Sequence, residues 1–405
     1  MMAAASLGFI KALGIAAILV PEEFGQYISW LGIATFAAVF VSFGRIETTI
    51  KLYPVVHAAG RGDWIAAHSR ELIGWLALTI AAAALLVALA FRLMQAPLAL
   101  GPLPLTDVVM VALMVWLIGA LNVVASIVRA VQRPRLLQGF TLARGGSVLI
   151  VALPAAVASG DWRITFIAEA LALFIVLCSS LVWLREPLRP TAEGGPLTDI
   201  DPRNHRGGGT IYLSSLAGAA IPYGGRGAIL ALAGPAIAGA FGLLSLIVQI
   251  GLMLAGALAQ KLGPRMIRAA AQGGLRPSEM VAPVAIMAAN AILGTGVLLV
   301  TLYIPGFAAA WDRYGIDLPL ILLVGVQMFL PVYLFVGFYL MALHREWVMV
   351  LASALSVASF YIGLVIVWSL DLGLIGFVVA ALVADAVRLV VKSYYAFDFG
   401  KKKQI

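Results

Sequence analysis

Long apolar stretches recur along the chain and are separated by short polar connections. Crossing the hydrocarbon core of a bilayer as a helix takes about 20 apolar residues. A membrane β-barrel would instead alternate apolar and polar residues over segments of roughly 10, and no such alternation occurs in this sequence. The pattern predicts an all-α polytopic membrane protein with about twelve transmembrane helices: residues 3–20, 26–44, 72–94, 106–128, 140–159, 164–184, 211–233, 236–258, 280–302, 318–342, 348–369 and 373–396.

The composition supports a lipid environment. Hydrophobic residues make up 62% of the chain and charged residues only 11%, whereas soluble domains carry roughly 25% charged residues. The single cysteine, Cys178, has no partner for a disulfide, and the four histidines lack the paired spacing of a zinc site. We therefore expect no metal and no cofactor, apart from a coupling proton or sodium ion, and no nucleic-acid partner despite the net charge of +8.

Basic residues fall mostly on one side of the predicted spans. Twenty-two lie in alternate connections or in the C-terminal region, Arg388 and Lys392 among them, and three (Arg92, Arg163 and Arg313) lie on the opposite side. By the positive-inside rule the richer side is cytoplasmic. This distribution predicts a multi-pass protein of a bacterial inner membrane with both termini in the cytoplasm.

A polar segment divides the chain into two sets of six spans. Residues 186–210 are rich in proline, glycine and charge, which is typical of a solvated linker. Residues 1–185 are then an N-terminal lobe and residues 211–405 a C-terminal lobe with a short basic tail. The turns Pro21-Glu-Glu-Phe-Gly25-Gln-Tyr27 and Pro235-Ala-Ile-Ala-Gly239-Ala-Phe241 each open the second span of a lobe. Six spans per lobe indicate parallel repeats, related by a pseudo-two-fold axis along the membrane normal, around a central cavity.

The first of these turns also carries a resemblance to a known family. The segments Ile18-Leu-Val-Pro-Glu-Glu-Phe-Gly-Gln-Tyr27 and Lys51-Leu-Tyr-Pro54 resemble the polysaccharide-export and lipid-linked oligosaccharide flippases of the multidrug/oligosaccharidyl-lipid/polysaccharide exporter superfamily, with a weaker echo at residues 224–235. The resemblance implies two lobes that open alternately to each side, with spans 1, 2, 7 and 8 lining the cavity. One departure is Gly225, because family members often carry an aspartate just before the basic residue here.

Two cations lie at mid-depth in equivalent spans of the two lobes. Lys11 precedes Pro21 by ten residues and Arg226 precedes Pro235 by nine, which is about 14–15 Å along a helix. Facing a shared cavity, they would suit an anionic group, and Arg226 could hold a phosphate with two hydrogen bonds. The alternative is that Lys11 extends to the cytoplasmic surface. Pro222 should kink the helix that carries Arg226.

Four further residues complete the candidate site. Glu169 and Asp385 fall inside the last span of each lobe, where a carboxylate could bind the coupling ion. Asp385 could instead pair with Arg388 one turn away, and no local partner is evident for Glu169. Arg45 and Lys51 could draw a lipid diphosphate to the cytoplasmic mouth, or only follow the positive-inside rule. Polar residues such as Gln327 should join helices or line the cavity.

These observations predict a transporter and not an enzyme, because no cluster of acid, base and nucleophile appears in any connection. The first interpretation is an alternating-access flippase for a lipid-linked oligosaccharide, joined to a polyprenyl diphosphate, in polysaccharide biosynthesis for the cell envelope. Its partners would be that substrate, membrane lipids and polysaccharide-assembly proteins. The alternative is a multidrug or small-solute cation-coupled antiporter of the same superfamily, which the basic central charges disfavour.

Overall fold

The computed structural model describes residues 2–94, 104–189, 208–271, 278–342 and 345–397, and every regular element among them is helical. A π-helical turn, Ala220–Gly224, separates α8 from α9, and a 3₁₀ turn, Leu330–Val332, separates α13 from α14. The helices are α1 (Met2–Ile18), α2 (Pro21–Phe40), α3 (Arg45–Ala58), α4 (Gly62–Met94), α5 (Leu105–Ala130), α6 (Pro134–Ser159), α7 (Trp162–Trp183), α8 (Gly208–Ala219), α9 (Gly225–Ala233), α10 (Pro235–Ala271), α11 (Ser278–Thr301), α12 (Pro305–Arg313), α13 (Leu318–Phe329), α14 (Tyr333–Ala342), α15 (Glu346–Ser369) and α16 (Gly373–Phe397).

The structure confirms the predicted all-helical membrane fold, since each of the twelve predicted spans coincides with a helix or a broken helix. Ten segments in the described ranges are long and apolar enough to cross a membrane, and the bent pair α2–α3 could supply an eleventh. Helix α1, with 17 residues, is at the lower limit for a membrane-crossing helix. Helices α2 and α10 begin at Pro21 and Pro235, as the repeated turn predicts.

The sequence pattern missed polar extensions and two short helices. Helix α4 begins at Gly62 instead of near residue 72, and α10 continues to Ala271 instead of ending near residue 258. Helices α3 and α12 lie where connections were expected. Hydropathy detects only the apolar part of a helix, so helical turns that continue into a polar region do not register.

The chain folds into two compact units, Ala3–Ala219 and Ala220–Ile405, joined at the start of the π-helical turn. In the first unit, α5 packs against α2, α3, α4 and α7, while α6 lies along α7 and α8 packs on α2 and α3. Helix α8 therefore groups with the first unit. Most of the predicted linker, residues 190–207, lies outside the described residues.

In the second unit, α15 lies along α16, α11 packs against α13, and α10 contacts both halves of the broken helix α13–α14. One cluster of its core combines Ala255, Met287 and Phe335, all fully buried. Close approach of α10 to α13 depends on Gly251. A Cβ placed there would come within 2.7 Å of the Met328 backbone oxygen, a contact that only a backbone shift would relieve.

Gly251→Ala should therefore destabilise the protein by about 1–3 kcal/mol, because the added methyl group overpacks the contact between α10 and α13. Gly256→Ala is the matched control in the same helix, since a Cβ there meets nothing within 4 Å. The control should be neutral or slightly stabilising, as alanine favours helix more than glycine does. Thermal unfolding of the purified variants measures both effects, and equal midpoints for the two variants would contradict this packing argument.

Candidate functional site

A buried polar cluster lies inside the first unit and joins three helices. Lys11 of α1 donates to Oε1 of Glu169 in α7 over 2.9 Å, and the Tyr27 hydroxyl of α2 donates to Oε2 of the same carboxylate. The exposed fractions are 8% for Lys11, 0% for Tyr27 and 4% for Glu169. The Lys11 ammonium also lies 5.7 Å from the centroid of the Tyr27 ring. Each charge in this cluster is thus neutralised inside the unit.

The local sequence explains why Tyr27 reaches this position. It is the aromatic residue of the Pro-x-x-x-Gly-x-aromatic turn, and Pro21 is the first residue of α2. Six residues on, Tyr27 lies on the buried face of that helix. The equivalent residue of the second repeat is Phe241, which is buried in α10 and has no hydroxyl group. The hydrogen-bonding role of the turn is therefore specific to the first repeat.

The cluster bears on two expectations about the first unit. Glu169 has two partners, but they are 158 and 142 residues away in the sequence, so no local pattern could indicate them. Lys11 does not extend to a surface, because its ammonium is buried against Glu169. The residue assigned to the substrate and the residue assigned to the coupling ion are thus direct partners.

Arg226 is buried in the second unit with part of its guanidinium group unpaired. Its exposed fraction is 2%, and Nε and Nη2 have no hydrogen-bond partner in the described part of the chain. In Arg163 the same two nitrogens, Nε and Nη2, donate to the Asp107 carboxylate, at 3.0 Å for each bond. The guanidinium carbon of Arg226 lies 6.0 Å from the centroid of the Tyr223 ring. Arg226 thus presents a vacant bidentate edge.

The neighbouring residues account for the absence of an acid beside Arg226. A Cβ on Gly225 would come within 2.7 Å of the Phe360 ring, so an aspartate would clash with α15. Pro222 lies in the π-helical turn Ala220–Gly224, so the regular α-helix is interrupted where the proline predicts a kink. The Tyr361 hydroxyl donates to the Ala220 carbonyl in this turn over 3.1 Å. Helix α15 therefore both closes the space beside Gly225 and satisfies part of the broken helix.

Asp385 has a different environment from Glu169. Its Oδ2 accepts a bond from the Gln327 side chain at 3.1 Å, which joins α13 to α16. Its Oδ1 lies 4.0 Å from Nη1 of Arg388, which confirms the alternative of an ion pair one turn away. Arg388 and Lys392 are 8% and 4% exposed. Both side chains are therefore buried inside the second unit, and their place on the cytoplasmic side stays a prediction.

The two remaining candidates lie on α3. Arg45 is exposed, with its guanidinium carbon 4.2 Å from the centroid of the Trp75 ring. The side chain of Lys51 lies outside the described part of the structure. Neither joins the buried cluster, so their predicted role at the cytoplasmic mouth stays a prediction. Across the described residues, no group of three or more histidine, cysteine, aspartate or glutamate side chains could hold a metal ion.

No family model matches this chain, and no curated protein matches it by sequence. Solved structures do. An inward-facing multidrug resistance MATE family transporter of the MOP superfamily aligns with a TM-score of 0.62 and 14% identity, over 98% of this chain and 96% of that one. A mutant form of the Vibrio cholerae MATE transporter VcmN aligns with a TM-score of 0.55 and 15% identity, over 99% of this chain and 93% of that one.

A third structure is that of a MOP superfamily transporter from Pyrococcus furiosus Vc1 (DSM3638). The reverse polarity of its binding pocket suggests a different function for that protein. It aligns with a TM-score of 0.56 and 15% identity, over 98% of this chain and 92% of that one. Because the sequence identities are low, these alignments establish the fold alone. This multi-pass membrane protein has the two-lobed fold of the MATE transporters.

Removing one partner of the Lys11–Glu169 pair should destabilise the protein strongly. Glu169→Gln or Lys11→Met leaves a single buried charge, which costs about 3–5 kcal/mol. The double variant removes both charges and should recover much of that loss. Asp63→Asn is the control, because its ion pair with Arg61 is exposed to solvent and such pairs contribute little. Additive losses in the double variant, measured by thermal unfolding, would show that the two residues are not coupled.

Proposed function

We propose that this protein is an antiport exporter of amphipathic cationic solutes, coupled to protons through Glu169. The observation that carries the proposal is the buried cluster of Lys11, Tyr27 and Glu169 in the first unit. Ionisable groups within membrane spans are costly and usually mark ion or substrate pathways. The MATE fold, shared with multidrug resistance transporters at low sequence identity, supports the same class.

The cluster supplies the competition that antiport requires. A proton, the Lys11 ammonium and a cationic solute compete for binding to the carboxylate of Glu169. Protonation of Glu169 removes its negative charge and leaves the Lys11 ammonium buried without a counter-charge, which is unfavourable. Because α1, α2 and α7 all meet at this carboxyl group, a change in its charge alters how those three helices are held together. A proton and a solute thereby favour different states of the first unit.

The cluster also weakens the argument against a cationic cargo. The basic central charges Lys11 and Arg226 favour an anionic cargo if both are free. Glu169 neutralises Lys11, and the two lie together with the polar hydroxyl of Tyr27. The proposal therefore takes the antiporter as the leading function and the lipid-linked saccharide flippase as the second candidate.

Glu169→Gln should abolish proton-driven export, because the amide cannot change its charge. In proteoliposomes, efflux of a fluorescent cationic dye driven by a pH gradient should fall at least about tenfold relative to the unchanged protein. Tyr27→Phe removes only one hydrogen bond and should retain partial activity with an altered pH profile. Glu22→Gln is the matched control, since Glu22 is an exposed carboxylate at the start of α2.

Two outcomes would contradict the coupling role. Full pH-driven efflux by the Glu169→Gln variant would remove Glu169 from the mechanism. Equal losses in Glu169→Gln and Glu22→Gln would show a general effect of charge removal. The unfolding midpoint of each reconstituted variant separates lost transport from lost folding.

One observation favours the second candidate. The vacant edge of Arg226 has the geometry that binds one oxygen pair of a carboxylate or phosphate, and arginine prefers such bidentate contacts. A polyprenyl-diphosphate saccharide in a bacterial inner membrane would supply that phosphate. Membrane lipids and polysaccharide-assembly proteins would then be the natural partners of this protein.

This candidate predicts that labelled polyprenyl-diphosphate saccharide reaches the opposite face of vesicles only when the protein is present. Arg226→Lys should lower the rate about tenfold or more, because lysine keeps the charge but cannot form the paired bonds. Arg70→Gln, a change at an exposed arginine of α4, should leave the rate unchanged. An unaltered rate in the Arg226→Lys variant would exclude a phosphate contact at this residue.

A further inference from the structure

The broken helix of the second unit is attached to α16 by two buried cations. The Arg388 Nη1 donates to the Tyr333 hydroxyl over 3.1 Å, and the Lys392 ammonium lies 3.5 Å from the Tyr333 backbone oxygen. Both charged groups are 5.0 Å from the centroid of the same ring. Tyr333 is the first residue of α14, directly after the 3₁₀ turn Leu330–Val332. The two cations therefore lie beside the residue at which the helix resumes after its break.

The positive charge at this place exceeds the negative charge. Among the described groups of this cluster, Asp385 is the carboxylate that lies near a cation, and that cation is Arg388. That carboxylate divides its interactions, since Oδ2 accepts from Gln327 at 3.1 Å while Oδ1 stays 4.0 Å from Arg388. A net positive charge buried among apolar helices is unfavourable unless an anion compensates it.

Arg388 also has an unused donor edge. Its Nε and Nη2 are buried and have no hydrogen-bond partner within the described ranges, and the residue is 8% exposed. The same two atoms of Arg163 hold the Asp107 carboxylate at 3.0 Å each. Buried donors without partners cost free energy and usually indicate a missing water or ion. The edge of Arg388 is thus shaped for an acceptor that the described chain does not provide.

The interrupted helix adds a third feature. Pro331 lies in the 3₁₀ turn, and proline has no backbone N–H to continue a helical ladder. Interrupted helices in membrane proteins often form ion sites, and the N-terminal end of a half-helix favours negative charge. Helix α14 starts at Tyr333 and has 10 residues. Its N-terminal end lies beside both cations.

We propose that the second unit holds a small inorganic anion of the chloride class at the break between α13 and α14. The anion is bound by the Nε and Nη2 edge of Arg388, and the charge of Lys392 supports it. Because both nitrogens are shielded from solvent in this structure, the anion enters when the turn Leu330–Val332 moves away from α16. The site is distinct from Glu169 and Arg226 and does not depend on which cargo the protein carries.

The test compares thermal unfolding of the purified full chain in sodium chloride and in sodium gluconate at equal ionic strength. Saturating chloride should raise the midpoint by about 2–4 °C, because a ligand that binds only the folded protein stabilises it. Arg388→Gln should lose this increment, and Lys392→Met should shift it to higher chloride concentration. Arg163→Gln is the matched control, since the edge of Arg163 already holds Asp107; its increment should remain.

Equal midpoints of the unchanged protein in chloride and gluconate would overturn the proposal. So would an undiminished chloride increment in the Arg388→Gln variant. If Arg388→Gln does not fold, crystals of the unchanged protein grown in bromide provide the second measurement. An anomalous peak within hydrogen-bond distance of Arg388 Nε and Nη2 supports the site, and bromide found only elsewhere excludes it.

Discussion

A charge buried inside a membrane protein is costly unless another group compensates it, and this constraint organises the first unit. Lys11, Tyr27 and Glu169 come from α1, α2 and α7, and each is almost fully buried. The carboxylate accepts one bond from each partner. Two consecutive helices, α1 and α2, are thus joined to the distant helix α7 at one carboxyl group. Any event that changes the charge of Glu169 changes the attachment of all three.

The second unit arranges its buried charges differently, and part of its buried guanidinium groups has no partner among the described residues. The turn that provides Tyr27 in the first unit provides Phe241 in the second, and the position before Arg226 is a glycine packed against Phe360. Arg226 consequently has no acidic neighbour of the kind that Lys11 has. The acid of the last helix, Asp385, instead bonds Gln327 and lies beside Arg388. The two units therefore carry unlike arrangements of buried charge.

The sequence was sufficient to predict the helical architecture but not which buried charged side chains pair with one another. The twelve predicted spans each coincide with a helix or a broken helix because hydropathy is a local property, and Pro222 indicates the helix interruption for the same reason. Helix α3 was missed because its polar residues resemble a connection. The glycine that precedes it, Gly44, has a φ of 78° and separates α3 from α2. The 3₁₀ turn had a signal in Pro331. The partnership of Lys11 with Glu169, in contrast, spans 158 residues, and a single sequence does not show which helices lie side by side. The same limit applies to Arg388 and Lys392, whose burial follows from the packing of α14 against α16 and cannot be predicted from the sequence around them.

Infrared difference spectroscopy tests the central claim, that Glu169 changes its protonation when solute binds, most directly. Spectra of the reconstituted protein are recorded with and without a cationic solute, in water and in deuterium oxide. The account predicts that solute binding removes the carbonyl band of a protonated, buried carboxylic acid, and that this change is absent in Glu169→Gln. An identical difference band in the Glu169→Gln variant, or no carboxylic-acid band in the unchanged protein at any pH that supports transport, would contradict it.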